Sequence, residues 1–184
     1  MPIHSCNTDF LKRYMNKYFI ETGSFKGDTI QLALDAGFEE IRSIELNGNN
    51  FNFCRERFIP NPNVYMWYGA SEEKFWYMIE DIKEPITFWL DSHYSGVGAT
   101  YETSLGVSYS SLVSELITIA RHPIKTHTIL IDDRRDFGTI NMDYVQESII
   151  RQLVQAINPA YKIKYETGDP SNPLFKDDIL VAYL

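Results

Sequence analysis

Two periods of hydrophobicity alternate along the chain. Short continuous apolar runs at 18–21, 41–46, 64–68, 86–90 and 128–131 have the length and pattern of strands buried on both faces. Between them, apolar residues recur at helical spacing. Ile30, Ala33 and Leu34 predict one helix, and Phe75, Met78, Ile79 and Ile82 line one face of another over 72–82. Leu112, Leu116 and Ile119 predict a third over 109–121, and a fourth is predicted over 142–157. A helix over 50–58 is stopped by Pro60 and Pro62, and one over 9–17 precedes the first strand. Asp28 is the expected N-cap of the helix that carries Ile30, and Gly37 its left-handed C-terminal cap. The chain closes with two strand-like runs, 161–166 and 178–183, with no helix between them.

Strands alternating with helices predict an α/β fold, a doubly wound and mostly parallel sheet covered on both faces. The last two strands, lacking a crossover helix, should form an antiparallel pair. A length of 184 residues suits a single domain over 1–184, built on one core that takes in Trp67, Trp76 and Trp89.

Charge and cysteine content narrow the classes. A net charge of −8 disfavours bulk nucleic acid as a partner, because such a surface repels phosphate backbones. No apolar run has the roughly 20 residues that a membrane helix needs, so no membrane partner is expected. The opening residues lack the apolar core of a signal peptide. With two cysteines, Cys6 and Cys54, a disulfide framework is not expected, Cys54 reads as a buried thiol, and a reducing, cytoplasmic setting fits best.

The predicted strands end in carboxylates. Glu21, Glu45, Asp91 and Asp132 all stand where an open parallel sheet binds ligands, beyond the carboxyl ends of its strands. Strand-end acids also serve as plain helix caps, and a glycine pair in a strand-to-helix turn is common. The combination of Glu21, Gly23, Gly27 and Glu45 at this spacing favours a nucleotide-type ligand. A pyrophosphate cofactor such as NAD suits it poorly, since a carboxylate would face the phosphates. Two of these acids, Asp91 and Asp132, would meet Asp133 on one rim if the fourth and fifth strands are neighbours. Carboxylates that close repel one another unless a cation holds them, and oxygen ligands suit Mg²⁺, Mn²⁺ or Ca²⁺.

The stretch Glu21-Thr22-Gly23-Ser24-Phe25-Lys26-Gly27 resembles the first motif of class I S-adenosylmethionine-dependent methyltransferases, an acid followed by x-Gly-x-Gly-x-Gly, with the middle glycine missing. The parallel sheet ending in an antiparallel pair is that family's layout too. The resemblance implies S-adenosylmethionine as cofactor. Glu21 would take its ammonium and Glu45 its ribose hydroxyls, with Gly69, Ala70 and Ser71 beside the adenine. Thr22, Gly23, Ser24, Gly27, Leu46 and Asp91 complete the implied cofactor contacts.

The segments Phe88-Trp89-Leu90-Asp91-Ser92-His93 and Ile131-Asp132-Asp133 resemble the metal-dependent O-methyltransferases of the macrocin type. That resemblance implies Asp91, Asp132 and Asp133 as Mg²⁺ ligands and His93 as the general base. The acceptor would be a small molecule or a sugar, with its hydroxyl coordinated to the metal. Two readings stand beside it. In a metal-free enzyme, His93 or Asp91 acts alone, and Arg134 neutralises an aspartate of the Asp132–Asp133 pair. In a non-catalytic binding module, the sheet persists without activity, and His93 is an ordinary loop histidine. Tyr94, Tyr101 and Tyr109, in the long segment 94–109, are the expected acceptor contacts. Little of the chain precedes the first strand, so acceptor binding is expected to be open or completed by a second copy in a homo-oligomer.

Overall fold

A computed structural model describes residues 5–94, 104–171 and 175–184. In chain order it contains α1 (Thr8–Arg13), β1 (Tyr18–Thr22), α2 (Asp28–Ala36), β2 (Glu40–Glu45), α3 (Gly48–Arg57), β3 (Val64–Tyr68) and α4 (Ser71–Ile79). There follow β4 (Ile86–Leu90), α5 (Leu112–Arg121), β5 (Thr128–Ile131), α6 (Glu147–Ile157), β6 (Lys162–Glu166) and β7 (Ile179–Tyr183). One seven-stranded sheet has the order β3-β2-β1-β4-β5-β7-β6. The first five strands pair in parallel. β7 runs antiparallel to both β5 and β6, inserted between them. The α/β doubly wound architecture with its antiparallel end is therefore as the sequence predicts.

Side chains alternate across the sheet, and the core divides with them. Ile20, Ile44, Phe88, Leu90, Ile129 and Ile131 pack with residues of α4, α5 and α6 on one face. Phe19, Ile41, Trp89, Leu130 and Val181 pack with α1, α2 and α3 on the other. Trp89 is fully buried. Trp67 and Trp76 are not core residues as expected; they are partly buried and lean against the first cluster from its margin. Cys54 is a buried free thiol.

Several helix ends differ from the hydrophobic pattern. Gly27, not Asp28, is the N-cap of α2; it is left-handed, and the Asp28 carboxylate pairs with Arg57 instead. Gly37 closes the helix as predicted, at φ 101°. α1 stops at Arg13, short of the predicted 17. α5 begins at Leu112 because residues 109 and 110 pair with the segment after β4: the Tyr109 carbonyl accepts from the Tyr94 amide, Ser110 bridges antiparallel to His93, and the Asp143 carboxylate accepts from both of their amides. α6 begins at Glu147: Asp143 and Tyr144 both take positive φ, which ends a short 3₁₀ turn and resets the chain direction.

Candidate functional site

The loops after β1 to β5 enclose a cleft of about 370 Å³ on the carboxyl edge of the parallel strands. It lies over the gap between β1 and β4, where the strand order reverses, which is where open α/β sheets hold their ligands. Gly23 holds that gap closed. At φ +84° a Cβ there would sit 2.5 Å from the Asp91 carbonyl oxygen, so only glycine lets the two loops meet. The close approach that Gly23 allows is thus to the β4 backbone rather than directly to a ligand.

The loop that follows explains the missing glycine. Phe25 stands at the middle position of the motif and adopts φ 45°, the left-handed conformation that glycine takes without cost. Its amide donates to Glu45 Oε2 at 2.7 Å, while Glu45 Oε1 accepts from the Asn47 amide at 2.7 Å. The carboxylate at the tip of β2 therefore anchors two loops at once. Burial raises its pKa, against the backbone donors and the nearby Lys26 charge.

The predicted cofactor residues separate into two layers. Gly23, Ser24, Glu45, Leu46, Gly69, Ala70, Ser71 and Asp91 line the cleft. Glu21, Thr22 and Gly27 do not; they lie beneath or behind the lining residues. Glu21 is buried, accepts a hydrogen bond from Ser43 Oγ at 2.5 Å, and is pushed up to about 8 by burial. Gly27 instead makes room for α3: a Cβ would fall 2.5 Å from a ring carbon of Phe58.

The acidic rim is arranged differently from its expected form. Asp91, Asp132 and Asp133 do not form one compact triad. Ligand atoms of Asp91, His93 and Asp133 lie within 4.8 Å of one another, and those of Asp132, Asp133 and Asp178 form a second group sharing Asp133. His93 Nδ1 is 3.0 Å from Asp133 Oδ2 and 3.4 Å from Asp91 Oδ1. Burial lowers the His93 pKa, but the Asp91 hydrogen bond and the surrounding aspartate charges outweigh it and push it up to about 9. Burial and the Asp91 charge raise Asp133 to about 7, against His93 and Arg135. Asp132 is raised well above the ordinary carboxylate range by burial and by Asp133; Ser5 donates to its Oδ2, and its Oδ1 is buried with no hydrogen-bond partner.

The arginine that neutralises an aspartate of the pair is Arg135, not Arg134. Arg135 bridges Asp133 and Asp178, whereas Arg134 pairs with Glu147 and lies over the Tyr165 ring. Neither Asp178 nor Arg135 is among the residues that the sequence places in the site. Asp178 carries one local signal, an acid at the edge of an apolar run, but no local pattern shows that β7 lies beside β5.

Among the described residues the other histidines offer no second ligand. His122 and His127 are buried, 3.0 Å apart at their ring nitrogens, and bonded to backbone groups within the core. Tyr94 and Tyr109 line the cleft and stack edge-on at 5.7 Å, while His4 and Tyr101 lie outside the described residues. No helix among the described residues is long and apolar enough to cross a membrane.

Asp91 and Asp133 fit a divalent cation, with the His93 imidazole within 4.8 Å of both. Two carboxylates suit Mn²⁺ or Mg²⁺, and a buried carboxylate oxygen with no partner, as on Asp132, is what a nearby cation satisfies.

No protein-family model matches the chain, and no curated protein matches it. Solved structures do. An O-methyltransferase from Bacillus cereus in complex with SAH shares 11% identity at a TM-score of 0.62, over 96% of this chain and 78% of that one. An rRNA methylase from Streptococcus thermophilus shares 13% at 0.56, over 95% and 92%. The fibrillarin pre-rRNA processing protein of Methanococcus jannaschii shares 12% at 0.56, over 91% and 66%. At such identities the likeness is one of architecture, and the architecture is the Rossmann-like fold of methyltransferases.

Proposed function

We propose that the chain is an S-adenosylmethionine-dependent methyltransferase that methylates a hydroxyl of a small molecule or sugar with the help of a divalent cation. The observation that carries the cofactor reading is the doubly anchored Glu45 at the tip of β2, on the wall of a cleft whose other walls are the Gly23–Phe25 loop and the Gly69–Ser71 turn. An acid so placed accepts from the two hydroxyls of a ribose, as in dinucleotide folds. Glu21, one layer below, supplies negative charge toward the cofactor's ammonium.

S-adenosylmethionine supplies an electrophilic methyl on a sulfonium. A divalent cation held by Asp91 and Asp133 would supply Lewis acidity that makes the acceptor hydroxyl easier to ionise. The chain's own work is positioning and proton transfer. Asp91 and Asp133 face His93 Nδ1 and hold the ring in place; a cation on those carboxylates would offset the charge that pushes His93 up to about 9, and so free the ring to take the acceptor proton. Tyr94 and Tyr109 present flat aromatic surface beside that point, suited to a sugar or an aromatic ring. The cleft walls limit water and align the nucleophile with the methyl group.

The net charge of −8 and the acidic rim favour a neutral or cationic small acceptor over a polyanionic RNA, although the fold is shared with rRNA methylases. Calorimetry with S-adenosylhomocysteine tests the cofactor reading: wild type binds, and Glu45→Ala loses at least about tenfold in affinity, as expected for a lost charged hydrogen bond. No binding to wild type returns the chain to a non-catalytic module. A Mn²⁺ titration tests the cation: binding abolished in Asp133→Asn supports it, and wild type that ignores Mn²⁺ leaves a metal-free enzyme relying on His93 or Asp91.

A further inference from the structure

Glu115 is a buried acid that the reaction above does not use. It sits on α5, is 1% exposed, and receives two hydroxyl protons at one oxygen: Ser71 Oγ donates to Oε1 at 2.6 Å and Ser111 Oγ at 2.5 Å. Its other oxygen, Oε2, is buried and has no partner in hydrogen-bond geometry; Thr22 stabilises the charge only from outside that geometry. Ser71 and Ser111 both line the cleft, one at the start of α4 and the other just before α5.

A serine hydroxyl has one proton and two lone pairs. Since both protons point back to Glu115, the two serines turn only acceptors to the cleft. The first amides of α4, which have no partner within their own helix, contribute donors beside them. This wall therefore accepts from an amino group and donates to a ring nitrogen. A carbonyl flanked by an N–H is its mirror image and meets like against like.

We propose that Glu115 is a positioning residue that sets base specificity: by holding the Ser71 and Ser111 protons, it makes this wall select a 6-amino purine over a 6-keto purine. The inference rests on the cofactor reading above and deepens it. Glu115 touches no ligand itself; it acts through two hydroxyls.

The test compares S-adenosylhomocysteine with its deaminated inosine counterpart, by calorimetry on the full chain near pH 8.5, above the Glu115 pKa of about 7. Wild type should bind the adenosine form roughly 10- to 100-fold more tightly, the cost of leaving buried polar groups mismatched. In Glu115→Leu neither serine keeps that acceptor, so both protons are free to turn to the cleft. The ratio should collapse toward unity while the variant still binds. A merely structural Glu115 would weaken both ligands together and leave their ratio alone, which would overturn the proposal. Equal binding of both by wild type would overturn it too, with the cofactor reading intact; that comparison needs no variant, so it decides the matter even where the Glu115→Leu chain does not fold. If wild type binds neither, the cofactor reading falls and takes this one with it.

Discussion

Replacing Glu21 by glutamine should make the protein more stable, and increasingly so as pH rises. Glu21 is buried at the end of β1, and burial raises its carboxyl from 4.5 to about 8, against the Ser43 hydrogen bond that favours the charged form. The folded state thus holds a proton that the unfolded chain releases near pH 4.5. A raised carboxyl contributes stability that is complete below the unfolded pKa and is lost as pH climbs through the folded one, here between about 4.5 and about 8. At pH 7 the difference is on the order of 3 kcal/mol, a sizeable part of a typical domain's stability. Glutamine keeps an oxygen to accept from Ser43 and does not titrate. Urea unfolding followed by tryptophan fluorescence, at several pH values from about 5 to 8, should show variant and wild type nearly equal at the acid end. The gap should then widen steadily toward the alkaline end. The comparison with the variant isolates Glu21, because Glu115 and Asp133 titrate in the same window. A gap that does not change with pH, or a variant less stable throughout, would mean instead that Glu21 is charged in the folded protein. A cationic ligand beside Glu21 should reverse the balance, so that binding to wild type releases a proton and binding to Glu21→Gln does not.

Two further outcomes follow from the loops. Phe25→Gly should relieve the left-handed backbone strain, worth about 1 kcal/mol, while removing an aromatic wall of the cleft, so that melting temperature rises or holds as cofactor affinity falls; loss of both would show that the ring, not the backbone, sustains the loop. Arg135→Gln should raise Mn²⁺ affinity about fivefold, read by the loss of free-ion electron paramagnetic resonance, because a half-exposed guanidinium competes for Asp133 with roughly 1 kcal/mol of screened attraction; unchanged affinity would mean that Arg135 only ties Asp178 in place.

The strands are legible because burial on both faces leaves an unbroken apolar run, and β3, β4 and β5 have the predicted limits. Helix starts are not. The hydrophobic period carries through Tyr109 and Met142, but Tyr109 and Ser110 pair instead with Tyr94 and His93, and Asp143 accepts their amides across 33 and 34 residues, contacts that no local pattern records. The site shows the same division. Strand-tip acids such as Glu45 and Asp91 are readable because parallel topology brings tips together. Glu115 looks like any polar residue on an amphipathic helix; that it faces Ser71 depends on how α4 and α5 pack. The resemblance to the glycine motif breaks at Phe25 in residue type but not in backbone shape, since φ 45° preserves what the absent glycine would have provided.

The insertion of β7 between β5 and β6 has a consequence for the order of events at the ribosome. Asp178, which with Arg135 braces the acidic rim, leads into a strand that is synthesised after both of its neighbours and must wedge between them. Until that strand emerges, Arg135 lacks its Asp178 partner and β5 has an open flank. The sheet therefore closes last beside the acidic rim, and deleting 178–184 should leave β5 with an unpaired edge while the first four strands stay assembled.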